Sequence, residues 1–91
     1  MQHVNSEKAE LIAKVLAKVV RAKRESMGKS QRMLADEFDF PRSLLSRLEN
    51  GINEPKLVSV WTISEALQMK TSKLIELVEN ELPDNFSFVE K

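Results

Sequence analysis

Two glycines and three prolines are the only strong chain breakers in these 91 residues, and their positions limit what the chain can fold into. They stand at Gly28, Pro41, Gly51, Pro55 and Pro83. Between them apolar residues recur at three- and four-residue spacing. Over the first 82 residues there is neither strand-like alternation nor an internal repeat. The expected architecture is all-α, with five short helices.

Over residues 7–27, Leu11, Val15 and Val19 recur beside Ile12, Leu16 and Val20, an amphipathic stripe backed by lysines and arginines. Gly28 stops this first helix. Ser30 is a good N-cap for a second, over 31–38, with Leu34, Ala35 and Phe38 inward. Asp39 and Phe40 form a tight turn, and Pro41 opens a third helix over 41–49 that Gly51 closes. After a loop at Asn53–Pro55, Leu57, Val60, Ile63, Ala66 and Leu67 mark a fourth. Thr71 or Ser72 caps a fifth carrying Leu74, Leu77 and Val78. Residues 1–6 are expected to form a flexible N-terminus and 7–82 the folded domain. Residues 83–91 are a tail, with Phe86, Phe88 and Val89, that is either disordered or pairs across a dimer.

Composition removes several classes of function. There is no cysteine, so neither disulfides nor thiolate metal sites are available. The one histidine, His3, is expected to be exposed and inert, since a zinc site needs more than one ligand of its kind. No catalytic triad, phosphate-cradling glycine loop or paired carboxylates can be assembled, so no catalysis, metal or cofactor is expected. No apolar run approaches the ~20 residues of a membrane span, and no signal peptide is visible, which suits a cytoplasmic protein away from membranes.

Net charge is zero, but the charge is unevenly spread. Residues 1–28 hold six lysines and arginines (Lys8, Lys14, Lys18, Arg21, Lys23, Arg24) against three glutamates. Residues 57–91 hold Lys70, Lys73 and Lys91 against Glu65, Glu76, Glu79, Glu81, Asp84 and Glu90. A chain so polarised can still turn a positive face to phosphate.

The second and third helices, joined by a short turn, have the helix-turn-helix arrangement, whose second helix can enter the DNA major groove. In that helix Leu45 and Leu48 bury one stripe and leave residues 42, 43, 46 and 47 on the opposite side. The wider run of residue types is more specific. "RESMGKSQRMLA" from Arg24, "SRLENGINEPKL" from Ser46 and "ALQMKTSKL" from Ala66 closely resemble the Cro/phage-repressor (Xre-like) helix-turn-helix family, without a gap from Arg24 to about Leu77.

That resemblance implies a five-helix, lambda-repressor-like DNA-binding domain in which Arg42, Ser43 and Arg47 contact bases or the adjacent phosphate. Leu44 falls on the DNA side, where it could meet a thymine methyl, and Ser46 is a weaker candidate. Arginine there can donate twice to guanine O6 and N7. Gln31, at the start of the second helix, matches a family residue that meets a phosphate and steadies the recognition helix. Asn50 matches another phosphate contact, and Lys29, Arg32 and Lys56 flank the same face. The resemblance also pairs Arg24 with Glu49 as a structural ion pair.

Three positions depart from the family pattern. Asp39 stands where glycine is usual, and Pro41 and Lys56 stand where Ser or Thr caps are frequent. Family members usually dimerise so that two recognition helices lie ~34 Å apart. The surplus apolar residues Val58, Trp61, Ile75, Val78 and Leu82 are the expected homodimer interface.

The function expected is therefore a sequence-specific double-stranded DNA-binding transcriptional regulator, a repressor acting as a homodimer on a palindromic operator. Two alternatives remain open. One is an antitoxin-type regulator that also binds a toxin or other protein partner. The other is a helical protein-interaction adaptor without DNA binding. Restriction–modification controllers and prophage repressors share the same pattern.

Overall fold

The computed structural model describes residues 6–51 and 54–89. Within them lie α1 (Ser6–Ser26), α2 (Gln31–Phe38), α3 (Arg42–Asn50), α4 (Leu57–Ala66) and α5 (Thr71–Glu81), with no strand among the described residues. The all-α expectation and its five helices hold. Ser6 already belongs to α1, whereas His3, Asn53, Glu90 and Lys91 lie outside the described residues.

The core gathers one face from every helix. Val15, Leu16 and Val20 of α1 meet Leu34 of α2 and Leu45 and Leu48 of α3. Val60, Ile63 and Ala66 of α4, with Leu67, and Leu74 and Val78 of α5 complete it. α1 is the spine, packed along both α3 and α5. Its inward face includes the small residues Ala13 and Ala17, both buried. Gly51, which ends α3, comes so close that an added Cβ would meet the Ala13 carbonyl oxygen at 3.3 Å and Ala17 Cβ at 3.4 Å. Its φ of +63° is also left-handed, so both space and backbone call for glycine here.

Several inward assignments shift. Leu11 is 38% exposed, because the buried face of α1 is turned toward Ala13 and Ala17. Leu57 is 66% exposed: as the first residue of α4 it precedes Val60, the first α4 side chain in the core. Leu77 lies over the α1–α5 seam beside Lys18, Val19 and Ala22 and stays 40% exposed. Neither Thr71 nor Ser72 caps α5. Lys70 holds the N-cap position, and the Thr71 hydroxyl is buried without a hydrogen-bond partner among the described residues.

The tail also departs from expectation. Residues 83–89 return along their own domain, where Lys8 Nζ of α1 donates to the Ser87 carbonyl. Phe86 and Phe88 meet edge to face, with ring centroids 5.5 Å apart.

Candidate nucleic-acid interface

Local chemistry fixes the α2–α3 pair. The Ser30 hydroxyl accepts from the Met33 amide at 3.1 Å and caps α2 where expected. Asp39 then takes a left-handed conformation (φ 59°, ψ 52°), and the Phe40 amide bonds back to the Ala35 carbonyl at 3.1 Å. An aspartate accepts this backbone better than most non-glycine residues, so the turn survives the missing glycine at some energetic cost.

Pro41 stands at the N-cap rather than inside α3. Its ψ of 134° is extended, and its carbonyl accepts the first bond of the helix, from Leu44 N at 3.0 Å. α3 therefore runs one residue later than expected. With a proline at this position no side chain caps the helix, so its first-turn amides are left without a side-chain partner. Lys56 likewise supplies no side-chain cap to α4.

α3 divides as its sequence suggests. Leu45, Leu48 and Glu49 are buried, while Arg42, Ser43, Arg47 and Asn50 are exposed. Ser46 is half-buried, and so is Leu44, which packs against the core. Leu44 also borders a shallow groove with Arg47, Pro55 and Lys56. Arg32 and Lys56 are exposed. Among the described residues, Arg32, Arg42, Arg47 and Lys56 make no ion pair. Lys29 is engaged differently: its ammonium is held by Glu37 of α2 and lies 5.8 Å from the centre of the Phe38 ring.

Beneath this surface Glu49 collects donors from three residues. Arg24 Nε reaches its Oε2 at 2.7 Å and Arg24 Nη2 its Oε1 at 2.9 Å, a bidentate pair buried on both sides. Gln31 Nε2 donates to Oε1 at 3.0 Å, so the first residue of α2 is tied to the last turn of α3. Arg21 adds Nε to Oε1 at 3.4 Å and Nη2 to the Glu49 carbonyl at 3.1 Å. Arg24 Nη1 also donates to the Lys29 carbonyl at 2.8 Å, which draws in the loop before α2.

Burial pushes the Glu49 carboxyl up, but hydrogen bonds from Arg24, Gln31 and Arg21, with the Arg24 charge, outweigh it and hold the group below its ordinary value. The hydrogen bond to Glu49 raises Arg24 against an opposing effect of burial. Both groups are thus held charged. Arg21 is the member of this cluster that sequence reading missed. Its one available signal is a position three residues before Arg24, on the same side of α1.

The expected dimer residues separate into two groups. Val58, Trp61 and Ile75 are exposed by 76%, 52% and 40%. Val78 is only 3% exposed within its own chain, where it belongs to the core. Leu82 is half-buried against that core. Among the described residues no group of His, Asp or Glu could hold a metal ion, and no helix is long and apolar enough to cross a membrane.

A family model described as helix-turn-helix matches residues 20–74, a span containing α2, α3, α4 and the Arg24–Glu49 pair. No curated protein and no solved structure matches the chain.

Proposed function

As a member of the Cro/Xre-like helix-turn-helix family of DNA-binding transcription regulators, we propose, the chain is a sequence-specific repressor that binds a palindromic operator as a homodimer. The observation that carries this reading is the division of α3. Glu49 anchors the helix from within, while Arg42, Ser43 and Arg47 stay exposed and, among the described residues, unpaired. Rigid support of this kind is what base readout requires, because a bidentate contact tolerates little misplacement.

In this reading Arg42, Ser43 and Arg47 contact base edges, with Leu44 and Ser46 at the margin. Gln31, Arg32, Asn50 and Lys56 meet phosphates, helped by the uncapped first turns of α3 and α4. Lys29 joins them once it leaves Glu37. Residues 7–82 form the DNA-binding unit and 83–91 its tail. The dimer forms around Trp61 and Ile75, with Val58 beside them. We assign the protein no catalytic step and place it in the cytoplasm.

The exposed apolar side chains of α4, Leu57, Val58 and Trp61, would equally suit a second protein, as an antitoxin-type regulator needs. Selection of bound sequences from a pool of random duplexes, at two salt concentrations, tests the main reading. It expects a palindromic consensus whose binding weakens steeply with salt. Enrichment of nothing at low salt would refute it.

A further inference from the structure

Away from α3, a cleft of about 630 Å³ opens between α1, α4, α5 and the returning tail. Leu16, Val60 and Val78 of the core form its floor, and Ile12, Ile75, Leu82 and Phe86 form its walls. Its volume and apolar walls are those of a small-molecule site. Its charge is one-sided. Glu54, Glu79 and Asp84 stand on its border, and neither lysine nor arginine lines it. None of the three carboxylates joins an ion pair among the described residues, while Lys18 of α1 pairs instead with Glu81.

Apolar walls under an unpaired acidic border are complementary to a cation carried on an apolar body. Phe86 also lines the cleft, and aromatic rings are favourable neighbours for such a cation. A second copy of the chain fits the acidic mouth less well, because a two-fold contact would bring Glu54, Glu79 and Asp84 against like charges; of the cleft walls only Ile75 is shared with the proposed dimer surface.

The cleft also has a route to the DNA-facing surface. Glu54 and Pro55 border it on one side and, on the other, border the shallow groove formed with Leu44, Arg47 and Lys56. We propose that this cleft binds a small hydrophobic cation, and that its occupancy alters DNA binding through the Glu54–Pro55 segment. The second half of this inference rests on the DNA-binding reading above; the first half does not.

Two ions of the same shape and opposite charge, tetraphenylphosphonium and tetraphenylborate, provide the test, titrated calorimetrically into the full chain without DNA. The cation should bind at one per chain and at least about tenfold tighter than the anion, since three exposed carboxylates each contribute modestly. Glu54→Gln, Glu79→Gln and Asp84→Asn together should abolish that preference while leaving the melting temperature unchanged, because all three side chains are exposed. Equal binding of the two ions, or an unchanged preference in the triple variant, would overturn the site.

Anisotropy titrations of a selected duplex then test the coupling. Saturating cation should shift the DNA affinity of the native chain by about fivefold or more, and that of the triple variant not at all. Cation binding with no shift would overturn the coupling alone. A chain that bound no duplex even without the cation would instead overturn the DNA-binding reading, and the calorimetry would still decide the site.

Discussion

Glu49 on α3 and Arg24 on α1 are joined by two hydrogen bonds of 2.7 and 2.9 Å, the shortest of the side-chain links that hold α3 to the rest of the domain. Both partners are buried, and Gln31 and Arg21 converge on the same carboxylate. The expected outcome of Glu49→Ala follows from what it leaves behind: two arginines facing one another with no anion between them. Breaking a buried pair from one side costs about 3–5 kcal/mol. Denaturant unfolding should show a loss of that order, while the sequence preference of whatever variant remains folded stays as in the native protein. An unchanged unfolding midpoint would contradict the structural role.

The same carboxylate gives stability a pH dependence. Its ionisation is easier in the folded chain than in the unfolded one, so the stabilisation is complete above the ordinary glutamate value of about 4.3 and is lost as pH falls through the lower folded value. Melting temperatures recorded from neutral pH down to pH ~3 should therefore fall on the acid side. Glu49→Gln keeps the shape but cannot ionise. It should start less stable at neutral pH and show a shallower acid decline; an equally steep decline would assign the effect to other carboxylates.

Backbone strain makes two opposite predictions for the ends of the helices. Asp39 pays for a left-handed conformation that glycine takes freely, so Asp39→Gly should raise stability by about 0.5–1 kcal/mol after the entropy of the unfolded chain is counted. Gly51→Ala meets the left-handed penalty and the Ala13 carbonyl together, and should cost about 1–2 kcal/mol or more. Gly28 shares the positive φ but has nothing within 4 Å of an added Cβ, so Gly28→Ala should cost less than Gly51→Ala. Thermal melts of the three variants check both signs and the order.

Much of this arrangement was legible in the sequence because it depends on local chemistry. Ser30, Gly28 and Gly51 act as boundaries by their own conformational preferences: Ser30 starts α2, Gly28 follows the end of α1 and Gly51 closes α3. Leu45 and Leu48 face inward because their spacing matches the helix period. The errors come where periodicity gives a stripe but not its rotation or extent. Leu11 and Leu57 have the right spacing, yet one lies at the edge of the buried face and the other precedes the core. The burial of Val78 follows from the depth of the α1–α5 contact, a tertiary property that spacing does not report. The Arg24–Glu49 pair was anticipated only through family resemblance. Arg21 went unseen since no local rule connects residues 28 positions apart. The return of the tail is long-range as well, linking Lys8 to Ser87.

The proposed role of the exposed α3 arginines is to read DNA while buried residues of the same helix hold it in place. It is tested most directly by titrating a selected operator duplex with the native chain and with the Arg42→Ala, Arg47→Ala double variant. Each good bidentate arginine–guanine contact is worth about 1–3 kcal/mol, so the double variant should bind at least about 30-fold more weakly. Its melting temperature should be that of the native protein, because neither side chain supports the fold. Native affinity in a correctly folded double variant would contradict the account.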